Sequence, residues 1–578
     1  MKRSFAQTWQ TIRQCGHTKH AKLLLLVSSF WILVYVWLIS TQFVSDSQGL
    51  GTLLQTTWGD WAAHLIMTTR MAYGETVIPA QNPLLLGTDF IYPFGINLVS
   101  ALLVRMGVPL LSAFIIPQVL SVAGAIFLIT YSYQKLFSSN LVAALAITLL
   151  LTSGGLAYLT EDTLTPFATI QSTEVGQNML TFDQNTNLVW GATGMTLLIP
   201  QRALSLGIVF GLLTLLLSYQ ICFTTQESSR KIRSAWIAGV LLLLLPYIHT
   251  HTFLAIGIIV CCLGVGLILV SKRTELLLLL KNSWPLLLLA ILALLWHGTR
   301  YSQGTATGTI SWQPGWYAES LKEWLVFWWN NWGIIPLAAL AGWHQLYQKN
   351  TLETSKIGQK HAALLVPAAF FILFLLLNLI SFQPHLWDNT KLLFWVAIGF
   401  CGLASYGFLA LFESAKSSTH PLTRKITLSS IVIIICVSIF GGLHDTVKLL
   451  MISPDQSLRL YTTEEIELAQ WVRQNTSPDS IWLAGERHNH WLSNLTGRQV
   501  LMSYSGWLWT HGLAYDDQQQ DMLQLFANPA RQDIIEKWQI QYAVLGEYEL
   551  LLGANPAIFE QEYQEIYRTK SYKLYALH

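Results

Sequence analysis

Asp60 and His64 lie one helical turn apart in "WGDWAAHLIMTTR" (58–70), just after the first strongly apolar run of the chain. A carboxylate and an imidazole at i and i+4 share one helix face. Such a pair offers a proton acceptor and a group to orient it, the components of general acid–base catalysis. Glu161 and Asp162 offer further carboxylates, and "SFQPHLWDNTKLLFW" (381–395) brings His385, Asp388, Asn389 and Lys391 together at the start of another apolar run. Arg202 in "LIPQRALSLG" (198–207) and Lys391 are cations at the ends of apolar runs, where a lipid headgroup would lie. Each group also has a plainer role. Asp60 suits a first-turn helix acid, and Asp388 and Lys391, spaced i and i+3, suit an ion pair. Arg202 suits snorkelling to headgroups, and Glu161–Asp162 suits a solvated loop. His249 and His251 in "PYIHTHTFL" (246–254), with His385, are imidazoles able to bind a divalent metal, or equally to cap helix ends. No cofactor is expected.

The elements that must position these groups are membrane spans. Of the 578 residues, 52% are hydrophobic and only 11% charged, against roughly 25% charged in soluble domains. Apolar runs of bilayer length, about 17–25 residues, predict eleven spans: 22–44, 110–134, 138–159, 199–223, 234–248, 251–271, 282–298, 322–345, 361–381, 391–412 and 426–446. The first lacks a small-residue cleavage site and reads as a signal anchor. Lys and Arg collect at the N-terminus and in alternate loops, while 160–198 holds none. The bias puts the N-terminus inside and the C-terminus outside. The candidate groups then gather on the outer face. The first outer loop (45–109) carries two amphipathic segments expected to lie in the interface, with Trp at headgroup level. Ionisable groups at membrane depth are costly, about 2.5–3.5 kcal/mol each, and mark cavities or sites. Basic residues are dispersed, so no nucleic acid is expected as a partner. The six cysteines show no metal-binding spacing, and no disulfides are expected.

Residues 447–578 change character. "TTEEIELAQWVRQNT" (462–476) predicts a capped helix with Thr463 at the N-cap, and short apolar runs alternating with helical patterns predict a small soluble α/β domain. Within it, "GERHNHWLSNLTGRQVLMSYSGWLWTHGLAYD" (485–516) offers Trp507 and Trp509 as stacking surfaces for sugar rings, or as the core of the domain.

The layout of one anchor helix, a long first outer loop with an early acid, a "YPFGINLVSALL" (92–103) segment leading to the next span, and an outer α/β domain resembles the GT-C membrane glycosyltransferases. The resemblance implies a polytopic helical domain (1–446) and an extracytoplasmic domain (447–578) in the plasma (inner) membrane. It implies sugar transfer from a polyprenyl-phosphate-linked donor to a lipid, glycan or protein acceptor. Asp60 would be the general base and His64 its partner, with Arg202 and Lys391 on the donor phosphate. Glu161, Asp162, His249, His251, His385, Asp388, Asn389, Trp507 and Trp509 would contact substrate. GT-C members usually place an acidic pair in this loop, whereas here Asp60 is followed by Trp61. A non-catalytic protein of the same fold, binding lipid or assisting envelope assembly, and a transporter or flippase are the alternatives; the latter lacks the expected internal repeat.

Overall fold

The computed structural model describes residues 20–156, 180–182, 187–192, 194–304, 310–352, 357–383 and 385–577. In chain order the membrane region comprises α1 (Ala21–Ser40), β1 (Phe43–Asp46), β2 (Gly49–Thr52), α2 (Gln55–Tyr73), α3 (Gly95–Arg105), α4 (Leu110–Phe137) and α5 (Asn140–Thr152). There follow α6 (Arg202–Phe223), α7 (Ser228–Ile248), α8 (Thr250–Val270), α9 (Arg273–Gly304), β3 (Ser311–Trp312), α10 (Leu321–Trp332) and α11 (Ile335–Leu352). The last are α12 (Ile357–Leu377), β4 (Ile380–Ser381), α13 (Thr390–Lys416) and α14 (Pro421–Leu450). Helix is the structure that satisfies every backbone donor and acceptor within one apolar segment.

Each of the eleven predicted spans coincides with a helix, but among the described residues nine helices are long and apolar enough to cross a membrane. The exceptions have local causes. Helix α5 has 13 residues, roughly 20 Å at about 1.5 Å per residue, short of the roughly 30 Å apolar core. Its chain leaves the helix at Ser153, and Gly155 then lies against the Asn330 carbonyl with no room for a Cβ atom. The 322–345 segment is two helices, α10 and α11, parted at Gly333, whose φ of +56° ends the first. The last span, expected to end at 446, continues as α14 to Leu450.

The C-terminal region closes over the first loop. Strand β5 (Leu458–Thr462) pairs antiparallel with β2, Leu50 opposite Tyr461, completing a β1-β2-β5 sheet. Helix α15 (Thr463–Asn475) is capped by Thr462, one residue before the predicted cap, because Thr462 and Glu465 form a reciprocal capping box. Strands β6 (Ile481–Leu483), β7 (Gln499–Val500), β8 (Tyr542–Leu545), β9 (Gln564–Arg568) and β10 (Lys573–Ala576) form a mixed sheet in the order β7-β6-β8-β10-β9.

Helix α2 lies between this region and the bundle. Trp58 (2% exposed) and Trp61 (0%) are fully enclosed, edge-on to Tyr461 and Phe114 respectively. The Asn494 side chain donates to the Ala62 carbonyl at 3.1 Å. The two tryptophans therefore belong to a protein core and not to a headgroup belt. The C-terminal strand and helix cover the face of α2 that amphipathicity alone would assign to lipid.

Candidate functional site

Asp60 lines a cavity of about 230 Å³ together with Thr57, Thr181, Met195, His385 and Asp445. Five separate segments build it. Helix α2 presents Asp60, and the Gln201 side chain, at the entry of α6, donates to Asp60 Oδ2. Trp61 Nε1 and Gln118 Nε2 hold the intervening turn, bonding the Ile199 carbonyl at 3.2 Å and the Leu198 carbonyl at 3.0 Å. The segment around Thr181 is fixed by Asp445 near the end of α14, which accepts from the Leu180 and Thr181 amides (3.0 Å each) and the Thr181 hydroxyl (2.5 Å). Asn331 accepts from the Val189 and Trp190 amides at 3.0 Å, and Trp387 Nε1 bonds the Val189 carbonyl at 3.0 Å.

Among the described residues Asp60 has one side-chain donor, Gln201, and a cavity beside it. Burial raises its pKa above the ordinary carboxylate value; Lys391 pulls the other way and Asp388 adds to the rise. Lys391 Nζ is 3.0 Å from Asp388 Oδ1, and His385 Nδ1 is 3.9 Å from the same oxygen. The predicted i, i+3 pair is thus formed, at the start of α13. Asn389 is fully buried and its amide is committed to the turn: it donates to the Leu377 and Ile380 carbonyls (3.2 and 2.8 Å) and accepts from the Phe382 amide (3.2 Å).

The other predicted residues divide into those near the cavity and those that are not. Trp507 Nε1 donates to the Gly59 carbonyl at 3.0 Å, next to Asp60. Trp509 is 53% exposed and edge-on to His385 at 5.9 Å. His64 points away from Asp60 toward α3, bonding the Asn97 amide at 3.0 Å. Burial and nearby Arg202 hold its pKa down to about 3, so it is neutral. Arg202 is 0% exposed: it donates to Ser100 Oγ (3.0 Å) and the Phe114 carbonyl (2.5 Å) and lies 3.4 Å from the Phe114 ring centroid. It therefore does not stand open at a span end. His249 caps α8, its Nδ1 accepting from the Thr252 amide at 3.2 Å, with the His251 ring 5.3 Å away. His385 is instead beside Trp509, and among the described residues no three His, Cys, Asp or Glu side chains converge on a metal position. Glu161 and Asp162 lie outside the described residues.

Gln201, Asp445 and His488 were not singled out for this cavity. His488 bonds the Gly59 carbonyl at 3.1 Å. Gln201 is the immediate neighbour of Arg202, and Asp445 is a lone acid near the end of an apolar run, the same signal that marked Asp388.

No family model matches this sequence, and no curated protein matches it. The likeness is structural. The apo oligosaccharyltransferase of Archaeoglobus fulgidus aligns over 94% of this chain and 73% of its own, with a TM-score of 0.51 at 12% identity. The same enzyme tethered to an acceptor peptide containing the NVT sequon aligns over 97% of this chain and 74% of its own, with a TM-score of 0.50 at 13% identity. This chain shares the fold of that oligosaccharyltransferase. The arabinofuranosyltransferase AftD from Mycobacteria gives a TM-score of 0.50 at 12% identity, covering 97% of this chain but 42% of AftD. With nine apolar helices of spanning length among the described residues, the chain is a multi-pass membrane protein. At these identities the likeness concerns architecture, and the roles of Asp60 and its neighbours rest on this chain's own geometry.

Proposed function

We propose that the protein is an inverting glycosyltransferase of the GT-C type. It moves a sugar from a polyprenyl-phosphate-linked donor to a lipid, glycan or protein acceptor on the outer face of the plasma (inner) membrane. The Lys and Arg bias of the loops supports a cytoplasmic N-terminus and an extracytoplasmic C-terminal domain. One observation carries the chemical reading: Asp60 faces a cavity with a raised pKa and, among the described residues, only Gln201 as a side-chain donor. The acceptor enters this cavity with its proton toward the free Asp60 oxygen. As the acceptor oxygen or nitrogen bonds the anomeric carbon, the proton passes to Asp60. The bond to the donor phosphate breaks on the opposite side, and the configuration inverts. Lys391, oriented by Asp388, neutralises the departing phosphate, and exposed Trp509 offers the sugar an aromatic face. Buried Arg202 and His64 take no direct part; Arg202 holds α3 and α4 against α6, and His64 holds α3 against α2.

The deciding assay measures transfer from a panel of radiolabelled polyprenyl-phosphate sugars to a membrane extract, by purified wild type and Asp60→Asn. A positioned base contributes about 10²–10⁴-fold, so the variant is expected to lose a hundredfold or more. A variant within a few-fold of wild type removes Asp60 from this role. Donor binding without transfer by wild type favours the non-catalytic alternative.

A further inference from the structure

A second cavity, of about 290 Å³, lies at the other end of the bundle. Gln118 of α4 bonds the turn that carries Gln201; Lys135 lies roughly 25 Å further along the same helix, at about 1.5 Å per residue. Lys135 and Lys349 stand at the rim of this cleft with Gln359, while Leu212, Leu263 and Phe370 belong to its apolar walls, contributed by α6, α8 and α12. Among the described residues no carboxylate lines the cleft, and neither lysine is within ion-pair distance of one. Both side chains are exposed, and Lys135 rests over the Tyr131 ring at 5.6 Å. The charged groups are therefore confined to the exposed rim; the buried polar residues of the lining, Ser132 and Tyr133, spend their hydroxyls on the Leu128 and Ile398 carbonyls, and the walls between are mainly apolar.

That division matches one kind of molecule. A soluble anion would meet the lysines but leave the walls unfilled, and a neutral lipid would fill the walls but leave two cations unanswered. We propose that the cleft binds an anionic phospholipid, its phosphate between Lys135 and Lys349 and one acyl chain among α4, α6, α8 and α12. The site is independent of the Asp60 cavity and of the transfer reaction, and it lies at the opposite end of the spans. Anionic lipid attracts each surface lysine with an energy that corresponds to about fivefold in affinity, so the two together account for roughly thirtyfold.

Native mass spectrometry of the detergent-purified full-length protein, titrated with phosphatidylglycerol or phosphatidylcholine, measures this directly. Wild type is expected to retain phosphatidylglycerol in preference to phosphatidylcholine. The double variant Lys135→Gln/Lys349→Gln is expected to lose that preference by roughly thirtyfold. Ala363→Phe, which fills the cleft, is expected to weaken both lipids together. Equal retention of the two lipids by wild type overturns the proposal, as does an unchanged preference in the double variant. Displacement of bound phosphatidylglycerol by inorganic phosphate alone also overturns it, reassigning the lysines to a soluble phosphate. Unchanged melting of the variants shows that any loss is not misfolding.

Discussion

Asp60 and Glu549 are both carboxylates enclosed by protein, yet they are held in opposite ways. Glu549, 0% exposed, lies in the short helix Glu547–Leu551 just after β8 and accepts hydrogen bonds from the Gly485 amide (3.0 Å), His490 Nε2 (3.0 Å) and the Gly546 amide (2.9 Å). Burial alone would raise its pKa, but His490 and the backbone donors outweigh that and hold it below the ordinary value. Asp60 has Gln201 and a cavity, and its pKa rises. A carboxylate surrounded by donors is fixed as an anion and does structural service. One with an unfilled lone pair and a raised pKa is able to take a proton. The Glu549 clamp still serves the cavity at a distance, because it fixes the 485–490 turn from which His488 reaches Gly59 and Asn489 accepts from Trp58.

If the contrast is sound, replacing each carboxylate damages a different property. Asp60→Asn is expected to abolish transfer by a hundredfold or more with little change in the melting temperature; a large melting shift would place Asp60 with Glu549. Glu549→Ala leaves His490 and two amides unpaired in a dry site and is expected to cost about 3–5 kcal/mol of stability, read by thermal unfolding in detergent. A variant that melts like wild type breaks the comparison from the other side. Next come the neighbours of Asp60. Transfer needs Asp60 ionised, so the rate falls as pH drops through its raised pKa. Lys391→Met removes the charge that favours ionisation and moves this acid limb to higher pH, whereas Asp388→Asn moves it lower. Stability has its own pH dependence. His64 stays neutral down to about 3 in the folded protein, while an unfolded histidine takes up its proton near 6.5. Between those values the unfolded chain binds more protons, so stability declines as pH falls from about 6.5. His64→Leu is expected to flatten that slope in melting curves collected across this range. The smallest effect belongs to Trp509→Ala: stability changing by less than about 0.5 kcal/mol, as for an exposed side chain, with a severalfold rise in KM for the donor.

Much of the architecture could be read from residue order because it is written in local periodicity. Runs of apolar residues marked where the membrane helices lie, though not their number, and Thr-Thr-Glu-Glu marked the start of α15 to within one residue. Asp60, His385, Asp388 and Lys391 stood out because charge is rare beside apolar runs. What periodicity does not encode is which distant segment meets which. Gln201 reaches Asp60 across 141 residues, Asp445 holds Thr181 across 264, and His488 bonds Gly59 across 429. Arg202 and His64 looked like site residues for the same reason as Lys391. The structure surrounds them with Phe114 and Asn97, uncharged residues of other helices that no local pattern announces. The break at Gly333 was hidden because its flanks, "VFWWNNW" and "IIPLAALAG", are continuous in apolar character.

The β1-β2-β5 sheet sets a timetable for biogenesis. Asp46 in β1 and Arg459 in β5 form an ion pair at 2.6 Å across 413 residues. Ribosomes add about 5–20 residues per second, so the β1-β2 hairpin waits roughly 20 to 80 seconds for its third strand. During that interval the outer edge of β2 is an open hydrogen-bonding template, and Trp58 lacks the cover of Tyr461 and Asn489. A nascent chain is thus most vulnerable to wrong partners before its final fifth arrives, and a stop codon just before β5 leaves Gly59, beside Asp60, without the His488 and Trp507 bonds that cover it even when every membrane helix has been inserted.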